Sequence, residues 1–445
     1  MGRFEKVTRA PAGATFVLRA LRHRNFRLFF GGQLISLTGT WMQTVAQSWL
    51  VYRLTGSSVL LGAVGFAGQI PVFVLAPLGG TLADRHNRHR IVIATQTSAM
   101  ILALTLSFLT LTETVRVWHI ALLGALLGVV NAFDVPARQS FLVEMVGRED
   151  LMNAIALNSS MFNGARVIGP AVAGLLVASI GEGWCFFANG ASYLAVIAGL
   201  LMMRLGPRRR PDRTDSPLAN VLEGFRYARR TAPVRTLLLL VGVVSLVGMP
   251  YTVLMPLFAD AILHGGARGL GILMGATGVG ALLGALTLAG RSGVRGLGNL
   301  VAGAAAGFGA TLMLFSFSRW FWLSAVILVA TGFCMMLQMA CTNTLLQSMV
   351  PDRLRGRVMA LYSMMFMGMA PFGALFAGLT ASQIGAPLTV ATGAAGCLLA
   401  AAIFASRVPG LRGQARQLIL AQGIVGSEPP EEMTARGITG NPASE

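Results

Sequence analysis

Two ionisable residues, Asp134 and Arg166, stand in the middle of long apolar runs. A charge held at mid-bilayer costs at least about 2.5–3.5 kcal/mol on insertion scales, so it persists only with a partner or a task. Asp134 lies fifteen positions before Glu149, and Arg166 seventeen after it. At about 1.5 Å of rise per residue, a helical hairpin turning near Glu149 brings both to a similar depth, where they could meet. Arg138, one helical turn from Asp134, competes for the same carboxylate. Two roles are open to this set. A carboxylate whose arginine lowers its pKa until the two separate can bind and release a proton. The same pair can instead lock two helices in register and never titrate. Other chemistries lack residues to carry them. Walker, HEXXH, GXSXG and paired-cysteine motifs are missing. Cys185, Cys334, Cys341 and Cys397 lie inside apolar runs as inert thiols, and His86 and His89 stand among loop arginines. No metal, cofactor or enzymatic reaction is expected.

The elements that must position these residues follow from composition. Of 445 residues, 54% are hydrophobic and 12% charged, where an ordinary soluble domain carries about 25% charged residues. The mean hydropathy is +0.67. A soluble fold could not hide so much apolar surface, whereas lipid removes the need. The net charge of +18 comes almost wholly from arginine, placed between apolar runs rather than in a stripe with aromatics. Nucleic acid is therefore not an expected partner. Helices of roughly 20 apolar residues span a bilayer, and the chain offers twelve candidates. The expected fold class is an all-α membrane protein of twelve transmembrane helices in two six-helix bundles.

Arginines alternate from loop to loop. One set holds Arg22, Arg24, Arg27, then Arg85, Arg88, Arg90, then Arg138 and Arg148, and continues to Arg407 and Arg412. The opposite loops hold only Arg53, Arg116, Arg268 and Arg319. The positive-inside rule puts both termini in the cytoplasm. The expected divisions are a cytoplasmic segment at 1–25, a bundle at 26–204, a linker at 205–233, a bundle at 234–406, and a disordered cytoplasmic tail at 407–445. Within the linker, Leu222, Phe225 and Tyr227 beside Arg226, Arg229 and Arg230 suggest a short helix at the lipid surface or a solvated one. The halves also match each other: a shift of 204 residues aligns Gly80 with Gly284, Gly164 with Gly368, and Gly174 with Gly378. Duplicated halves suit a transporter that rocks one bundle against the other.

The run GGTLADRHNRHR, with Gly80, Asp84, Arg85, Arg88 and Arg90, resembles the signature loop of the major facilitator superfamily. Gly80 is expected to permit close helix packing. Asn87 stands where that family has glycine, and it tolerates the left-handed turn expected there. Three further stretches, at Gly39–Ser58, Phe133–Val146 with Ala165–Leu176, and Met349–Ser363, resemble the branch holding the enterobactin exporter and drug–proton antiporters. The resemblance implies a bacterial inner-membrane exporter of small drug-like amphipathic molecules, coupled to protons by alternating access and acting as a monomer among membrane lipids. Siderophore export and lysolipid or lipid flipping are its alternatives. It also implies that the signature residues act as a gate, and that the first, fourth, seventh and tenth spans line the cavity. Those spans offer Gln33, Thr40, Trp41, Gln43, Gln47, Asn131, Tyr251, Met255, Met335, Gln338, Met339 and Asn343. Methionines and aromatics suit a varied apolar ligand, and a buried amide needs a partner. Any one methionine or aromatic is more often helix-packing core, whereas the glutamines are the stronger candidates.

Overall fold

The computed structural model describes residues 18–147, 149–204, 217–291 and 293–422. Most of the 1–25 segment, the linker at 205–216 and the chain beyond 422 lie outside the described residues.

Every described element is helical. The first half comprises α1 (Arg24–Thr55), α2 (Ser58–Arg85), α3 (Arg88–Leu111), α4 (Val117–Val146), α5 (Leu151–Ile180) and α6 (Glu182–Leu201). The linker helix α7 (Pro217–Arg230) follows. The second half comprises α8 (Ala232–Ile262), α9 (Gly266–Ala289), α10 (Leu297–Phe317), α11 (Phe321–Met349), α12 (Asp352–Ile384) and α13 (Ala386–Ala421). Among the described residues, 11 helices are long and apolar enough to cross a membrane. The 32-residue α1 is long enough, but it carries Gln33, Thr40, Gln43, Thr44, Gln47 and Ser48 and falls short on hydropathy.

Local chemistry sets the turns. Gly56 ends α1 at φ +59°, a left-handed cap that glycine adopts without strain. The Ser57 side chain then accepts from the Leu60 amide to open α2. Asn87 departs from the expected left-handed turn. Its φ is −72°, and it caps α3 by accepting from the Arg90 amide, a task for which a short polar side chain is well suited. The α8 span is not one regular helix. It holds π turns at Val244–Gly248 and Phe258–Ile262 and a tight turn at Met249–Thr252, where Pro250 and, further on, Pro256 withdraw amide donors. In α12 the helix pauses between Met367 and Ala370.

The packing repeats as the sequence does. In the first half α2 lies on α4, and α3 on α4 and α6; in the second, α9 lies on α11, and α10 on α11 and α13. The halves meet along two seams, α5 on α9 and α2 on α12. Both seams hold close glycine contacts toward the end of the bundle away from the start of α1, here called the far end. A Cβ on Gly271 would come within 2.6 Å of Gly174 Cα, and one on Gly378 within 2.9 Å of Gly62 Cα. The Ser58 hydroxyl donates to the Gly378 carbonyl at 3.0 Å, and the Tyr52 hydroxyl reaches across the halves to Asp260 Oδ2 at 2.9 Å. At the opposite, terminal end, Val74 and Leu78 of α2 and Met152 and Ile155 of α5 are exposed.

Two expected features are corrected. Gly80 faces open space; the close approach belongs to Gly79, whose Cβ would strike the Ala132 carbonyl of α4. The boundary at 406 cuts a helix short, because α13 runs on to Ala421. Ala415, Leu418 and Ile419 pack on the core there, and Arg412 donates to Asn299 at 2.8 Å.

Candidate functional site

Asp134 and Arg166 do not meet. Asp134, buried in α4, accepts hydrogen bonds from Thr95 Oγ1 at 2.8 Å and Gln96 Nε2 at 2.9 Å, both on α3. Its other oxygen lies 3.2 Å from Arg138 Nε, one turn along the same helix. Arg138 in turn donates to Gln33 Oε1 of α1 at 3.2 Å. A similar depth along two helices does not fix the angle of each side chain around its helix axis. Thr95 and Gln96 were missed, although a polar pair inside an apolar span was a readable signal.

Arg166 instead points between the halves. Its guanidinium carbon lies 5.6 Å from the centre of the Trp41 ring on α1, and Nη2 lies 3.9 Å from Met335 Sδ on α11. Phe162 meets Trp41 edge-on at 5.6 Å. Tyr251 of α8 is buried within reach of the charge of the same guanidinium, and its hydroxyl approaches Thr277 of α9 without reaching ordinary hydrogen-bond geometry. Tyr251 also lines a crevice of about 260 Å³ between α8, α12 and α13, with Pro250, Phe376, Thr380 and Thr389. On α11, Gln338 and Thr342 follow Met335 by three and seven positions, along one helix face. Both are buried, and neither the Gln338 amide nor the Thr342 hydroxyl has a partner among the described residues. The Arg166 backbone carbonyl lies against Gly278, so this residue stands on the α5–α9 seam.

The remaining cavity candidates divide. Gln43 accepts from Asn189 Nδ2 at 2.6 Å and belongs to the packing of α1 on α6, not to a cavity. Met255 and Met339 are buried core, and Tyr362 donates to the Met339 carbonyl at 3.2 Å. Gln47 lies against Gly124 of α4. Thr40 donates to the Ser36 carbonyl, Gln347 donates to Asn343, and Asn131 is half-buried.

At the terminal end, Arg88 joins three elements. It donates to the Ala83 and Ser140 carbonyls, each at 3.2 Å, and pairs with Glu144 of α4 at 2.9 Å. Arg85 and Arg90 are exposed, and the Asp84 side chain lies outside the described residues. Nearby, Asp150 is almost fully buried and binds Arg19 Nε at 2.8 Å, Arg22 Nη2 at 2.7 Å and His23 Nε2 at 2.7 Å. The His23 hydrogen bond, aided by the two arginine charges, holds the Asp150 carboxyl below its ordinary range against the opposing effect of burial. The linker helix is tied down similarly: Glu223 pairs with Arg353 and Arg357 of α12, while Leu222 and Phe225 stay exposed.

Two pseudo-symmetric helical halves around a polar centre define a multi-pass membrane transporter. Residues 15–420 match the model of the transmembrane secretion effector family, and the chain belongs to that family of the major facilitator superfamily. It is similar to the staphyloferrin A transporter of Staphylococcus aureus, 24% identical over 81% of this chain and 90% of the relative. The multidrug efflux pump Tap of Mycolicibacterium fortuitum is 27% identical over 78% and 87%, respectively. The enterobactin exporter EntS of Shigella boydii is 28% identical over 77% and 81%. Among solved structures, an inward-facing bacterial homologue of the lysosomal transporter Spinster superposes with a TM-score of 0.62 at 15% identity, covering 92% of this chain and 99% of that one. A D-xylose–proton symporter gives 0.65 at 13% identity, covering 88% and 97%.

Proposed function

We propose that this chain is a secondary active exporter of small amphipathic organic molecules, exchanging protons for cargo by alternating access in a bacterial inner membrane. The observation that carries this reading is the pair of seams, drawn tight by glycines at the far end while α2 and α5 expose apolar side chains at the terminal end. Duplicated halves joined in this way can reach the mirror state by rocking. The arginine alternation supports a cytoplasmic terminal end, so the described state opens inward. Export is supported by the efflux and exporter activities named for Tap and EntS. The two siderophore-named relatives favour siderophore export as the second reading.

Proton coupling is assigned to Asp134. In the inward-open state its carboxylate has two hydrogen-bond donors and Arg138. Arg138 also holds Gln33 of α1, so a shift of α1 against α4 would draw the arginine off the carboxylate and tie the proton site to the motion. The chain acts as a monomer, with Leu222, Phe225, Arg226 and Arg229 of α7 at the lipid surface. Inside-out vesicles with an acidic interior test this. Wild type should accumulate an amphipathic dye as the gradient drives it, and Asp134→Asn should lose the gradient dependence. Gradient-driven accumulation equal to wild type in Asp134→Asn would remove the coupling role. Failure of wild type to accumulate any dye would remove export.

A further inference from the structure

We propose that Arg166, Tyr251 and Gln338 form a subsite for a carboxylate, so that the cargo is an amphipathic organic anion. The inference rests on the export reading and names the chemical class of its cargo. A guanidinium stays protonated and presents five N–H donors in a rigid fork. In the body of a membrane protein such a charge ordinarily sits beside an acid, because an uncompensated cation is costly there. Among the described residues Arg166 has no carboxylate partner; it has a thioether and an aromatic face. Around it stand groups with capacity to spare. Among the described residues both ends of the buried Gln338 amide lack hydrogen bonds, and the buried Tyr251 hydroxyl has only a poorly aligned approach to Thr277, although buried polar groups are nearly always paired.

The spare groups are mostly donors, and they come from both halves: Arg166 from α5, Tyr251 from α8, Gln338 from α11. A planar carboxylate matches the guanidinium fork with two parallel hydrogen bonds and can take a further one from a phenol or an amide. Trp41, Phe162 and Met335 border the same point and supply the apolar surface for the rest of the molecule. An organic cation would meet like charge here and leave the donors unsatisfied.

The test uses the full chain in lipid nanodiscs and two xanthene dyes of similar size and opposite charge, carboxyfluorescein and tetramethylrhodamine methyl ester, with binding read by fluorescence anisotropy. Wild type should bind carboxyfluorescein the more tightly. Arg166→Gln should weaken carboxyfluorescein by ~10-fold or more and leave the cationic dye unchanged or tighter, with Arg166→Lys in between. Undiminished carboxyfluorescein binding in Arg166→Gln would overturn the subsite. Should that variant fail to fold, the wild-type preference decides, and preference for the cationic ester, or no binding of the anion, overturns the proposal. Export and subsite can fail separately. Vesicles that move carboxyfluorescein equally well with wild type and Arg166→Gln uphold export without the subsite. Carboxyfluorescein binding lost in Arg166→Gln, in a protein that moves neither dye, upholds the subsite without export.

Discussion

At the scale of single residues, Asp150 ties the terminal segment to pH. Its folded pKa lies below the unfolded value, so the clamp on Arg19, Arg22 and His23 contributes in full above the ordinary carboxylate range. That contribution is lost only as the pH falls through the depressed folded value. Asp150→Asn should therefore release the segment at neutral pH, seen as faster amide exchange at Ala20, whose N–H donates to Asn153. In wild type the same protection should survive acidification past 3.8, the ordinary carboxyl value. Unchanged exchange in the variant would show that the segment is held by other contacts. None of this clamp was legible in the sequence, because Arg19 and Asp150 are joined by folding rather than by spacing. Asp134 and Arg166 were legible as residues with a task, since charge inside an apolar run stands out. Which partner each takes was not: Arg138 is fixed to Asp134 by the turn of one helix, whereas Arg166 depends on how five helices are rotated.

At the scale of elements, the glycines on the seams set how closely α5 can approach α9. Gly271→Ala would put a methyl group 2.6 Å from Gly174 Cα, where backbone must move. Overpacking of this kind costs roughly 1–3 kcal/mol, and the penalty falls only on the state closed at the far end. The equilibrium should shift by roughly 5- to 150-fold toward the state open there. A cysteine introduced as Ala267→Cys, beside Gly174, would then react faster with an impermeant maleimide added from the far side. No gain in labelling would mean that this contact does not hold the far end shut. The approximate number of spans was legible, because apolar length and arginine loops mark them. The irregular course of α8 was not. Pro250 and Pro256 were visible, but not the π turns, of which Val244–Gly248 lies against α12 and α13 and Phe258–Ile262 against α9.

At the scale of the whole molecule, the two seams are related by the same shift that relates the sequences. Gly174 on one seam and Gly378 on the other are repeat partners, and each meets a glycine of the opposite half. Gly378→Ala, which would bring a Cβ to 2.6 Å from the Ser58 carbonyl, should therefore favour opening at the far end as Gly271→Ala does. The same maleimide assay reads it, and opposite effects of the two substitutions would argue that the halves do not move as rigid bodies. Arg166 has a place in this motion fixed by its main chain. Its carbonyl rests on Gly278 at the middle of the α5–α9 seam, while its side chain reaches Trp41 and Met335. If the halves rock about the middle of this seam, the fulcrum and the proposed grip on the cargo share one residue. No relay of intermediate contacts is needed to carry word of occupancy: a molecule that tugs on the guanidinium loads the pivot directly.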